Sequence, residues 1–199
     1  MRTQRDRLLE AMSRVAAQKG YEHTTVADVI EEAGVSRTTF YEMFADKEDC
    51  FLAAYEAVFD ILVHHVEQAY RNQEGDWPRR IHAGLEALVQ LMAGESDIAK
   101  MAMVEITAAG PAARQRYRDG LARFTPFLDE GRALTANGSQ LPATTSRLAI
   151  GGAATLIFDE IRAGRGNDLQ DILPELVFAV LMPFIGPEAA ALEMRETLE

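Results

Sequence analysis

Apolar residues recur along this chain at three- and four-residue steps, and that period confines it to helices. Leu8, Leu9, Met12, Val15 and Ala16 make the first stripe. Thr3 and Asp6 precede it at the spacing of a reciprocal N-terminal cap, and Gly20 stops it. Thr25 and Asp28 repeat the cap. Val26, Val29, Ile30 and Ala33 then lie at i, i+3, i+4 and i+7, one face of a two-turn helix that Gly34 ends. Ser36 is a good cap for a third short helix, Arg37 to about Met43. Asp46 opens a long fourth one with the stripe Phe51, Leu52, Tyr55, Val58, Phe59, Leu62 and Val66, as far as a polar break at Asn72 to Asp76.

The pattern continues. Trp77-Pro78 opens a helix to about Ala93, and Asp97 to Thr107 reads as a shorter one. Gly110-Pro111 starts a helix that continues to about Leu134. Asn137 to Pro142 is turn-rich, and Thr145 to Ala163 and Leu173 to Ile185 are two last apolar helices. No stretch alternates with period two for long enough to be a strand. The predicted fold is all-α, with an N-terminal helix-turn-helix domain at 1–46 and a larger helical domain at 47–199, which the fourth helix enters.

Charge limits what this chain can touch. Its 199 residues are 48% hydrophobic and 26% charged, an ordinary globular balance. Twenty Lys and Arg against 31 Asp and Glu give a formal charge of −11, so any contact with phosphate needs a local basic patch. Residues 1–50 carry seven basic and ten acidic side chains. Residues 1–19, however, carry five basic (Arg2, Arg5, Arg7, Arg14 and Lys19) against two acidic. The first segment is therefore expected along phosphates, with Asp28, Glu31 and Glu32 facing away. Cys50 is the single cysteine, which excludes a disulfide framework and a cysteine-cluster zinc site. The lone thiol and a charged start with no apolar leader point to the cytoplasm. The longest apolar stretches, 148–158 and 176–184, fall short of the ~18 residues of a membrane span.

Two short helices around Gly34-Val35-Ser36 match a helix-turn-helix. The second carries Arg37, Thr38, Thr39 and Tyr41 opposite Phe40 and Phe44, which suits a recognition helix in a major groove. Arginine bridges guanine O6 and N7, and a threonine methyl meets a thymine methyl. Tyr41, Lys47 and the Thr24-Thr25 helix start are placed for phosphates. Packing is an alternative role for Tyr41, and a salt bridge at the start of the fourth helix is one for Lys47.

The run Thr24-Thr25-Val26-Ala27-Asp28-Val29-Ile30-Glu31-Glu32-Ala33-Gly34-Val35-Ser36-Arg37-Thr38-Thr39-Phe40-Tyr41, with Phe44 and Lys47-Glu48 behind it and Gly20-Tyr21 before it, resembles the signature of TetR-family (tetracycline-repressor-type) transcriptional regulators. The match covers about residues 5–52, a quarter of the chain. The resemblance implies nine or ten helices and a homodimer on a palindromic DNA operator. A small molecule in the larger domain would tilt the fourth helix and release DNA. It implies DNA contacts at Thr25, Ser36, Arg37, Thr38, Thr39, Tyr41 and Lys47. Ala27 and Met43 stand where relatives often carry basic or histidine side chains, which removes two polar contacts.

Outside this region the residues are less specific. Phe59, Leu62, Met92, Met101, Val104, Phe124, Phe127 and Phe158 serve equally as core or as the lining of an adaptable apolar pocket, with Glu105 and Thr107 as its polar groups. A mainly hydrophobic effector is expected there. Gly151-Gly152 within a helix costs ~1 kcal/mol per glycine relative to alanine and asks for a close neighbour. With Thr155, Phe158, Leu176 and Val180 it would form a dimer seam, and intrachain packing of the same helices is the alternative. His64, His65 and His82 lack the spacing of metal ligands. No nucleophile elbow, phosphate-cradling glycine loop or HExxH occurs, so neither catalysis nor a cofactor is expected. A ligand-responsive repressor leads. An activator or a regulator without a ligand stands second, and an enzyme or carrier with a borrowed DNA-binding unit third.

Overall fold

The computed structural model describes residues 3–136 and 138–196. Arg2, counted in the basic segment, and Asn137, the start of the expected loop, lie outside them. The described residues hold helices and no strand. In chain order these are α1 (Gln4–Lys19), α2 (Val26–Ala33), α3 (Arg37–Met43), α4 (Lys47–Asn72), α5 (Trp77–Gly94), α6 (Ser96–Lys100), a π-helical turn (Met101–Glu105), α7 (Ile106–Ala108), α8 (Gly110–Ala122), α9 (Thr125–Leu134), α10 (Thr145–Arg162), a 3-10 segment (Gly166–Ile172), α11 (Leu173–Ile185) and α12 (Pro187–Glu196). None is long and apolar enough to cross a membrane.

The chain divides into two compact units, Met1–Ile61 with Glu95–Asp119, and Leu62–Gly94 with Gly120–Glu199. The boundary expected after residue 46 follows the motif. The units follow contact in space, and they group α6, the π turn and α7 with the N-terminal helices.

In the first unit α1 buries Leu8, Leu9, Met12, Val15 and Ala16 and packs against α2, α3, α6 and the π turn. Both expected caps close at Thr3–Asp6 and Thr25–Asp28. Gly20 and Gly34 take positive φ (82° and 61°), so glycine ends both helices at conformations costly for other residues. Phe40, Phe44, Cys50, Phe51 and Tyr55 fill the core. Burial pushes the Cys50 thiol up to about 12, leaving it a small apolar group.

In the second unit α11 packs on α5, α10, α12 and the 3-10 segment. Its corner is Trp77. The indole Nε1–H donates to the Phe127 carbonyl at 2.8 Å, and the ring meets Phe184 at 5.1 Å. A Cβ on Gly131 would lie 2.4 Å from the indole, so only glycine lets α9 approach α5. Nearby, the Tyr70 hydroxyl and the Arg80 guanidinium both donate to Glu130, which holds that carboxyl below its usual range.

Three elements differ from those expected. The helix expected to run from Gly110 to Leu134 breaks at Arg123 and Phe124, because in a continuous helix Pro126 has no N–H for the Ala122 carbonyl and its ring crowds that carbonyl, whereas a proline in the first turn of a new helix costs nothing. The helix expected at 97–107 contains the π turn. A final helix, α12, follows Gly186, beyond the last helix expected from the sequence.

Candidate nucleic-acid interface

The recognition segment is built from local capping. Thr25 accepts the Asp28 N–H (3.2 Å), and its hydroxyl donates to Asp28 Oδ2 (2.8 Å). Ser36 Oγ accepts the Thr39 N–H at 3.0 Å and lies 2.9 Å from the Thr39 hydroxyl. Thr25, Ser36 and Thr39 therefore start α2 and α3, and their spare lone pairs remain on the surface side. Phe40 and Phe44 are buried against each other at 5.8 Å, and this turns the opposite face of α3 outward. That face presents Arg37, Thr38 and Tyr41 around a shallow recess that Glu42 completes. All three are exposed, Tyr41 at 48%. The Arg37 guanidinium lies 5.8 Å from the centre of the Tyr41 ring, a contact that orients it without neutralising it.

Lys47 is placed differently. Its Nζ donates to the Tyr21 carbonyl at 3.0 Å and sits 4.2 Å from the centre of the Tyr21 ring. The lysine ties the start of α4 to the α1–α2 loop, which is neither of the two roles expected of it.

The acidic residues of α2 do not all turn away from the basic segment, which corrects the expectation for two of the three. Asp28 takes Lys19 Nζ at 2.6 Å and Glu32 takes the Arg14 guanidinium. The hydrogen bond from Lys19, seconded by Thr25, lowers the Asp28 carboxyl to about 2. Opposite charges on adjacent packed helices at this distance attract each other before they meet anything else. What is left of the basic segment is its beginning. Arg5 lies over the Phe44 ring at 5.6 Å, and Arg7 reaches towards Gly34 in the turn before α3. Arg5 and Arg7 therefore flank the two ends of the recognition helix. Their identity shows that they are basic, and only the packing of α1 on α3 shows where they point.

The residues expected to line a pocket fall in both units. In the first, Phe59 and Met101 are buried and Val104 is half-buried. Thr107 is exposed with its hydroxyl on the Val104 carbonyl at 2.8 Å. Glu105 Oε2 accepts the Tyr21 N–H at 2.7 Å, a partner 84 residues away that no sequence signal announces. In the second, Leu62 and Met92 are buried, and Phe124, Phe127 and Phe158 are half-buried. Of the expected dimer residues, Gly152 and Thr155 are exposed, Phe158 is half-buried, and a Cβ on Gly151 or Gly152 would meet nothing of this chain within 4 Å. Leu176 and Val180 belong to the chain's own core, at 0% and 2% exposure, because their face of α11 is covered from within. His64 and His65 are exposed, and no group of three potential metal ligands occurs among the described residues.

Known proteins agree with this arrangement. The family described as "Bacterial regulatory proteins, tetR family" matches residues 8–54. The transcriptional activator FasR of Mycolicibacterium smegmatis is 26% identical over 164 residues, 82% of this chain and 73% of that protein. The fatty acid metabolism regulator protein of Bacillus subtilis is 21% identical over 154 residues, 77% of each. Among solved structures, the fatty acid degradation regulator FadR of Bacillus halodurans superposes with a TM-score of 0.78 at 18% identity, covering 91% of this chain and 96% of that one. FadR of Bacillus subtilis in complex with stearoyl-CoA gives 0.72 at 19% identity, covering 90% and 97%. The capped helix pair with its outward polar face thus lies within the segment, residues 8–54, that matches the TetR-family DNA-binding unit, and the relatives this chain aligns with over most of its length are transcriptional regulators.

Proposed function

We propose that this regulator binds a palindromic operator as a homodimer, represses the genes beside it, and is released by a hydrophobic small molecule of the long-chain acyl-CoA class. The observation that carries the DNA side is the outward face of α3, where Arg37, Thr38 and Tyr41 stand exposed above the buried Phe40 and Phe44. Arg37 reads a guanine, Thr38 and Tyr41 take a neighbouring base edge and a phosphate, and Thr25, Ser36 and Thr39 complete the contacts, while Lys47 keeps to the Tyr21 carbonyl. Arg5 and Arg7 add phosphate contacts at either end of the helix. With Arg14 and Lys19 engaged internally, few cations remain for phosphate, so the salt dependence is shallow. Residues 1–46 then act as the DNA-binding domain and residues 47–199 as the effector and dimer domain. The unfilled surface beside Gly151, Gly152 and Thr155 is the proposed seam of the dimer.

The effector class rests on two relatives, one named for fatty acid metabolism and one solved with stearoyl-CoA. A ligand releases DNA only by binding the DNA-incompetent state more tightly. The test has two parts. Selection from a random duplex pool should return a palindrome whose half-sites lie about one helical turn apart. Fluorescence anisotropy on that duplex should then fall on addition of stearoyl-CoA and not of coenzyme A. Recovery of no preferred duplex removes the first part, and no response to the acyl thioester removes the second.

A further inference from the structure

Tyr21, in the loop between α1 and α2, has both polar groups of its backbone held by elements distant in sequence. Its N–H donates to Glu105 Oε2 at 2.7 Å, and its carbonyl accepts Lys47 Nζ at 3.0 Å. Its ring lies between that ammonium and Phe51, 4.2 Å and 4.4 Å away. The loop that leads into the helix-turn-helix is therefore fastened at one residue, on one side by α4 and on the other by the segment that ends at Glu105.

That second fastening stands on unusual backbone. Met101–Glu105 is a π turn set between α6 and α7, with Met101, Ala102 and Met103 buried. π turns are rare and hold one residue more than an α-helical turn would. Annealing the turn to α geometry moves every following side chain by one residue, a rotation of ~100° about the axis. Glu105 is the last residue of the turn, so such a change swings its carboxylate away from Tyr21. The contact that holds the loop therefore depends on the π geometry of this segment.

We propose that Glu105 is a positioning residue. Its contact with Tyr21 is a latch through which the Met101–Glu105 turn sets the posture of α2 and α3, and with it operator affinity. The proposal rests on the DNA-binding reading above. It places a control point on the carboxylate that accepts the Tyr21 amide. With the latch closed, the entry to α2 is ordered in advance and binding need not order it. With it open, Tyr21 keeps Lys47, the Phe51 ring and the local bond from the Thr24 N–H, and loses its tie to the Met101–Glu105 turn.

The experiment uses the full chain and the duplex it selects, with three variants that separate charge from reach. Glu105→Ala removes the acceptor. Glu105→Asp keeps the charge but is one methylene too short to reach the amide. Glu105→Gln keeps the reach and offers a carbonyl oxygen. Hydrogen exchange at the Tyr21 amide should quicken about tenfold in Glu105→Ala and Glu105→Asp, the scale of a lost hydrogen bond to a charged group. Operator affinity should fall about fivefold or more in the same two variants, and Glu105→Gln should recover most of it. If Glu105→Ala does not fold, the Asp and Gln pair decides. Affinity lost with Gln and kept with Asp overturns the latch, and so does wild-type affinity in Glu105→Asp with Tyr21 exchange quickened. A wild-type chain that selects no duplex overturns the DNA-binding reading and this one together. A wild-type chain that binds while Glu105→Asp matches it overturns the latch alone.

Discussion

The helix-turn-helix and the Trp77 corner are both well packed, yet they are held together on different scales. The caps that start α2 and α3 span three residues, Thr25 with Asp28 and Ser36 with Thr39, and the ion pairs of α2 with α1 reach nine and eighteen. Around Trp77 the polar contacts span fifty or sixty: Trp77 with Phe127, Arg80 and Tyr70 with Glu130. Short-range capping starts a helix wherever the chain happens to be and leaves its outer face free for other work. Long-range contacts exist only once α5 and α9 have met, and they use up the groups that make them. A region that must offer side chains to DNA is better built the first way. A region that only needs to hold its shape is better built the second way.

The comparison breaks most readily at Gly131. Gly131→Ala puts a methyl 2.4 Å from the Trp77 ring and should cost about 3 kcal/mol or more in urea denaturation. The fraction that remains folded should bind operator as before. A fully stable Gly131→Ala protein would mean that α9 and α5 part at little cost. The opposite case is Arg37→Ala, which should weaken operator binding by ~1–3 kcal/mol and relax preference at one base pair per half-site. Its denaturation midpoint should stay within experimental error of wild type. Equal loss on every duplex would assign Arg37 to phosphate.

Gly152→Leu sharpens the contrast inside the second unit, since a Cβ there meets nothing of its own chain. Sedimentation should show dimer dissociation raised about tenfold, ~1.4 kcal/mol, with the fold intact. Unchanged dimerisation would move the seam elsewhere. The smallest effect is at Asp28. Its carboxyl is lowered to about 2 in the folded chain, against an ordinary value of ~3.9 when unfolded. A depressed folded value stabilises the fold above the unfolded one and loses that contribution as pH falls through the folded one. The α1–α2 pairing should therefore weaken between about pH 4 and pH 2. Asp28→Asn should flatten that part of the stability–pH curve, and an identical acid limb in both proteins would disprove the assignment.

These contrasts also explain what could be read in advance. Caps at Thr3, Thr25 and Ser36, and stops at Gly20 and Gly34, are decisions made within four residues, so their residue types reveal them. The stripe from Phe51 to Val66 is buried as its period requires, with Leu52 half-buried at its edge. The break at Pro126 was equally local, but it was hidden by the apolar periodicity running through it. The π turn at Met101–Glu105 has no signature in residue type, because its five side chains would suit an α-helix as well. For Leu176 and Val180 the sequence leaves both a partner and the chain's own helices open, since periodicity shows which side of a helix is apolar and not what covers it.

The sequence by itself determined the helical class, the capped pair at its start and the polar face of α3. All three follow from backbone hydrogen bonding and apolar spacing over one or two turns. Tertiary structure alone decided which charges stay free and which are spent. Arg14 and Lys19 go to Glu32 and Asp28, Lys47 and Glu105 close on Tyr21, and Arg37 remains exposed and unneutralised. The physical reason is that an ion pair or a buried hydrogen bond depends on distance in space. Residues 84 positions apart acquire that distance only when their helices pack.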